Sequence, residues 1–221
     1  MEDILLYLVV GLIILGYIII FVAYMANNGK KNKETGYDLA FKLLEKNNST
    51  KIVEGKNLFF SEYNVQRDAI RLSNRSYNNS DNFSLFVGSL MAGYALEKRN
   101  GSLEIMRKLF KNYHFMSFSS LLIIVLVFLS NTVSDAKIGI LLFIVILFYQ
   151  YLFFDFGNKA TLKIKDNVRD NSVKKLLNLN VKINLLFMVA TVIGIIRLIL
   201  ILFVKWVRES WLIFIFRCQI K

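Results

Sequence analysis

The chain is poor in the side chains that perform acid–base, nucleophilic or metal chemistry. Its 221 residues hold one histidine, His114, and one cysteine, Cys218. A single histidine excludes the helical clamp in which two imidazoles, four residues apart, grip one Zn²⁺. A single cysteine excludes an internal disulfide. There is no phosphate-cradling glycine loop, no Ser-His-Asp order and no transporter-type internal repeat. Two charged residues stand out instead. Asp155 closes a long apolar run, where it serves as a boundary carboxylate near Lys159 or as the remnant of something more. Arg197 lies inside another apolar run, where a charge must snorkel to the interface, pair with Asp155 or Gln150, or line a substrate or ion pathway.

The elements that would carry these residues follow from hydropathy. Hydrophobic residues make up 55% of the chain and mean hydropathy is +0.47. The excess is gathered into long runs separated by charged stretches, the pattern of a polytopic membrane protein. Residues 4–25 carry no charge and would span roughly 33 Å as a helix, enough for a bilayer core. With no basic front end and no small-residue cleavage site, this run reads as a retained anchor. Residues 115–133, 138–154 and 183–204 are the next three candidate spans. The fold class expected is therefore mostly α, polytopic, with about four transmembrane helices and a small α+β polar domain. The divisions are an anchor at 1–26, a polar domain at 27–114, a transmembrane hairpin at 115–156, a basic segment at 157–182, a transmembrane helix at 183–204 and an interfacial tail at 205–221. The tail alternates Lys205, Trp206, Arg208, Trp211, Phe214 and Arg217, which suits a helix in the headgroup region.

Inside the polar domain, Thr35 and Asp38 resemble a capping box opening a helix through Lys46, with Tyr37, Ala40, Phe41 and Leu44 on one face. Residues 51–53 and 69–72 are strand candidates with a polar turn around Asn64. Residues 83–96 form an apolar helix, and 103–113 a basic amphipathic one. His114 then sits at a membrane boundary.

The formal charge is +12, from 28 Lys+Arg against 16 Asp+Glu. The basic residues flank apolar runs, so anionic headgroups and the positive-inside rule account for them better than nucleic acid does. Residues 27–114 and 157–182 hold 15 + 7 = 22 of the 28. Both therefore belong in the cytoplasm, with the lipid bilayer as the first partner. A fourth crossing then leaves the basic tail outside, held at the outer interface, unless the fourth run is tilted or re-entrant.

The order of these segments resembles the membrane zinc metallopeptidases of the YugP type, found in bacteria. The resemblance runs through Thr35-Gly36-Tyr37-Asp38-Leu39-Ala40, Ser61-Glu62-Tyr63-Asn64, Ile70-Arg71-Leu72-Ser73, the helix with Leu90-Met91-Ala92-Gly93-Tyr94-Ala95, and Asp155-Phe156-Gly157-Asn158-Lys159. It implies a zincin-like cytoplasmic domain, a zinc cofactor and a bacterial plasma-membrane location. It also implies where the chemistry should be. The family's first histidine falls on Leu90, its glutamate on Met91 and its second histidine on Tyr94. Its third, acidic ligand falls on Asp155 and a further histidine on Glu62. Only the spacer Gly93 is kept. Leucine and methionine offer no useful zinc ligand, and a phenol with a pKa near 10 is a poor one.

The resemblance therefore implies a degenerate member without the His-Glu-x-x-His motif, with no catalytic residues, no metal ligands beyond a remnant at Asp155 and no bound cofactor. The function expected is binding to a membrane protein or protease partner. Alternatives are a residual peptidase with an atypical site, or a small transporter or channel subunit using Arg197.

Overall fold

A computed structural model describes residues 2–29, 31–44, 49–56, 61–98, 112–114 and 136–219. In chain order these form helix α1 (Glu2–Asn27), α2 (Gly36–Leu44), strands β1 (Lys51–Gly55), β2 (Glu62–Asn64) and β3 (Ala69–Ser73), α3 (Asn74–Asn78), α4 (Asn82–Lys98), β4 (Asn112–His114), α5 (Ala136–Lys165) and α6 (Asn171–Gln219). Among the described residues three helices are long and apolar enough to cross a membrane, within Ile4–Asn27, Ile140–Lys165 and Asn171–Arg208. The expected span at 115–133 lies outside the described residues.

The chain divides into two compact units. One comprises residues 1–16, 118–151 and 186–221, the other residues 17–117 and 152–185. In the first, α5 and α6 pack through small residues. A side chain at Gly194 would run into the Phe143 ring, and one at Gly16 into the Phe187 ring. Large apolar side chains such as Ile14, Val145, Phe148 and Ile199 remain uncovered on these helices, the arrangement expected where lipid replaces water.

The second unit is a four-stranded sheet with helices around one continuous core. Strand order is β1-β3-β2-β4, with β1 parallel to β3 and both other pairs antiparallel. Asp68 organises the sheet. It takes a positive φ of 47°, a conformation that Asp tolerates better than most side chains. Its carboxylate accepts hydrogen bonds from Tyr63 Oη at 2.8 Å, Thr50 Oγ1 at 3.0 Å and Ser49 Oγ at 3.2 Å. The β2–β3 turn is thereby tied to the start of β1. Asn64 opens that turn by accepting from the Arg67 N–H at 2.9 Å, but it does so as the last residue of β2.

Helix starts are set by side-chain caps. Thr35 and Asp38 form the reciprocal pair, Thr35 N–H to Asp38 Oδ2 at 2.8 Å and Asp38 N–H to Thr35 Oγ1 at 3.1 Å. Ser73, at the end of β3, accepts from the Ser76 N–H to open α3. Asp81 accepts from the Ser84 N–H at 2.8 Å to open α4, and Asp170 accepts from the Ser172 N–H at 2.6 Å to open α6. Each satisfies a donor that the helix itself leaves unpaired. Arg75 binds the end of α1 to this frame. Its guanidinium lies 4.7 Å over the Tyr24 ring, donates to Tyr24 Oη and Asn28 Oδ1, and approaches Asp81 at 3.5 Å.

Two expectations change. The buried face of α2 is Gly36, Leu39, Ala40 and Leu44; Phe41 is exposed and stacks on Tyr37 instead. Residues 112–113, expected to end an amphipathic helix, join His114 in a strand because pairing with β2 supplies their backbone bonds; residues 103–111 lie outside the described residues. The basic stretch 157–182 is the end of α5, a short turn and the start of α6. The tail continues α6 without a break as far as Gln219.

Backbone meets backbone where α2 crosses α4. A Cβ on Gly88 would stand 2.1 Å from the Gly36 carbonyl oxygen, and one on Gly36 would stand 2.1 Å from Ser76 O and 2.5 Å from Ser84 O. Backbone atoms cannot swing aside as a flexible side chain can. Gly88→Ala should therefore lower stability by about 2 kcal/mol or more, seen as a fall in the thermal unfolding midpoint of the detergent-purified chain. Gly29→Ala, which meets nothing within 4 Å, should leave it within about 0.5 kcal/mol.

Candidate functional site

The positions that should carry chemistry lie on α4. This helix is apolar almost all round, and a helix of that kind is buried on all sides. Leu90, Met91, Ala92, Tyr94 and Ala95 have no exposed surface, and Leu85, Phe86 and Val87 have almost none. Tyr94 stacks on Phe156 of α5, ring centroids 5.2 Å apart and planes inclined by 16°, and meets the edge of Phe153 at 6.3 Å. A Cβ added at Gly157 would be 3.7 Å from the Tyr94 hydroxyl oxygen. Gly93 lets α4 and α5 approach, since a Cβ there would stand 2.9 Å from the Ala160 carbonyl oxygen. Lys163 ties the helix end down, donating to the Leu96 carbonyl at 2.9 Å and facing the buried Glu97 carboxylate at 3.7 Å.

The carboxylates are held elsewhere. Asp155 is about half exposed and takes the Lys159 ammonium at 2.6 Å, one turn on along α5. Glu62 pairs with Arg71 at 2.8 Å. In the sheet Glu62 lies between Arg71 of β3 and His114 of β4, so the chain's one histidine is its backbone neighbour. Among the described residues no three His, Cys, Asp or Glu side chains come together in a way that could hold a metal ion.

Arg197 is enclosed by the chain, 4% exposed, and does not snorkel out to water. It shares a helix face with Ala190, Thr191, Gly194 and Leu198, all buried or packed against α5. Gln150, one partner considered for it, accepts from the Thr191 hydroxyl at 2.5 Å. Sequence reasoning missed the Gly36–Gly88 crossing and the Arg75 cluster. Glycines inside two amphipathic or apolar helices were the available signal for the first. Nothing local in the sequence marks the second.

The family described as "Putative neutral zinc metallopeptidase" matches residues 4–205. The chain belongs to this family. No curated protein and no solved structure matches it. The zinc that the metallopeptidase family implies does not fit the residues present. At the three helical positions stand an aliphatic side chain, a thioether and a phenol, all sealed in an apolar core. The acidic position is held in a surface ion pair. No step through a metal follows from these side chains.

Tyr94 is thus a packing residue in a metallopeptidase frame. Tyr94→Ala should cost about 3–5 kcal/mol, the range for removing a buried ring. Asp155→Asn breaks only an exposed pair and should change stability by less than about 1 kcal/mol. Denaturant unfolding of the two variants checks the contrast.

Proposed function

We propose that this chain is a catalytically inert member of the zinc metallopeptidase family that works by binding another membrane protein, such as an active protease. It sits in the bacterial plasma membrane with the sheet-containing unit in the cytoplasm. The observation that carries the reading is the state of α4. Its three former chemical positions, Leu90, Met91 and Tyr94, are wholly buried and interlocked with α5. Water and a peptide bond have no route to them, and none supplies a general base of suitable pKa. The features that match the family order are those that shape the frame: the Thr35 cap, the Gly36 crossing, the Ser73 cap and the Gly93 contact. A frame preserved without its reactive groups supports a role in recognition. The basic stretches beside the apolar runs support the orientation.

Two measurements test this. Chelation should leave the unfolding midpoint of the purified chain unchanged, because no structural energy comes from metal. Site-specific photo-crosslinking in cells should capture a membrane protein, with the yield unaffected by chelator. A midpoint that falls on chelation and returns with zinc would overturn the proposal, as would chelator-sensitive cleavage of a membrane substrate.

A further inference from the structure

The second unit contains a groove of about 430 Å³, lined by residues that include Lys33, Glu34, Leu39, Lys42, Leu85, Val168, Arg169 and Asp170. That volume lies in the range of ligand-binding sites. Its floor is apolar, with Leu39, Leu85 and Val168 all buried. Its rim is charged, and the charges are not equivalent. Glu34 is neutralised by Lys42 at 2.8 Å. Asp170 is committed to the first N–H groups of α6, Ser172 at 2.6 Å and Val173 at 3.3 Å. Lys33 and Arg169 have no hydrogen-bond or ion-pair partner among the described residues, and both are exposed. Both acidic groups of the rim are thus occupied and two cations are not.

An occupant of this groove needs an apolar group for the floor and negative charge for the rim. An inorganic anion satisfies only the second requirement. An acidic peptide carrying an apolar side chain satisfies both, and an anionic lipid is the competing occupant that the test separates from it. We infer that the groove binds a short acidic peptide segment of a partner protein, with an apolar side chain against Leu39, Leu85 and Val168 and its carboxylates against Lys33 and Arg169. This rests on the reading of the chain as a binding frame and names the chemistry of what is bound.

The test uses the full chain in neutral nanodiscs and fluorescence anisotropy with three labelled peptides. One alternates Asp or Glu with Leu, one has Asn and Gln in place of the acids, and one has Ser in place of Leu. The first should bind at least tenfold more tightly than either of the others. Lys33→Glu combined with Arg169→Glu should weaken it tenfold or more without moving the unfolding midpoint, since both side chains are exposed. Lys33→Arg should retain binding. Equal binding of the acidic and neutral peptides would overturn the inference, as would unchanged affinity in the double variant. Binding of vesicles rich in anionic lipid that is lost in the double variant, with no binding of the acidic peptide, would also overturn it in favour of a lipid. Zinc dependence of the unfolding midpoint bears on the inert-frame reading alone, so the two can fail separately.

Discussion

The second unit depends on backbone atoms meeting where no side chain can stand. At Gly36 and Gly88 the chains of α2 and α4 touch directly, and at Gly93 α4 comes against the backbone of α5. These approaches fix where α4 lies between the sheet side of the core and α5. Once they are fixed, the side chains of α4 have no latitude: each must fill the space left to it. Leu90, Met91 and Tyr94 fill that space with apolar volume, and the Tyr94–Phe156 stack joins the two helices.

Packing and chemistry can therefore be separated in this chain. The glycines and caps act through geometry that any substitution with a Cβ or without an oxygen would disturb. The catalytic positions of such a frame act through protonation states and lone pairs. Those can be removed without loss of packing if the replacements have suitable volume and shed polar groups that would need partners in a core. The Leu-Met pair that the resemblance sets against the family's His-Glu would have that character. Leu90 and Met91 are both buried and gain from it, whereas an imidazole and a carboxylate would be costly there.

Much of this was legible in the sequence. The capping pair Thr35–Asp38 and the strands around Val53 and Ile70 were readable because their signals are local. So was the apolar helix through Leu90. The placement of Asp155 beside Lys159 was readable from four-residue spacing. What escaped the sequence depends on distant partners. Residues 112–113 carry a helical pattern but become a strand because β2 offers a free edge. Phe41 sits on the apolar side by spacing alone, yet the close crossing at Gly36 turns the helix so that Leu39 faces the core. Arg197 reads as a residue within reach of the interface, whereas the face it shares with Gly194 is covered. The groove beside Lys33 and Arg169 joins segments more than a hundred residues apart and has no signature in either.

The central claim is that α4 has become a packing helix and no longer holds a metal. Elemental analysis of the chain, purified without added metal or chelator, tests it most directly. The account predicts zinc well below one equivalent per chain, unchanged in Asp155→Asn, Glu62→Gln and His114→Ala. One zinc per chain, lost on any of these substitutions, would contradict it.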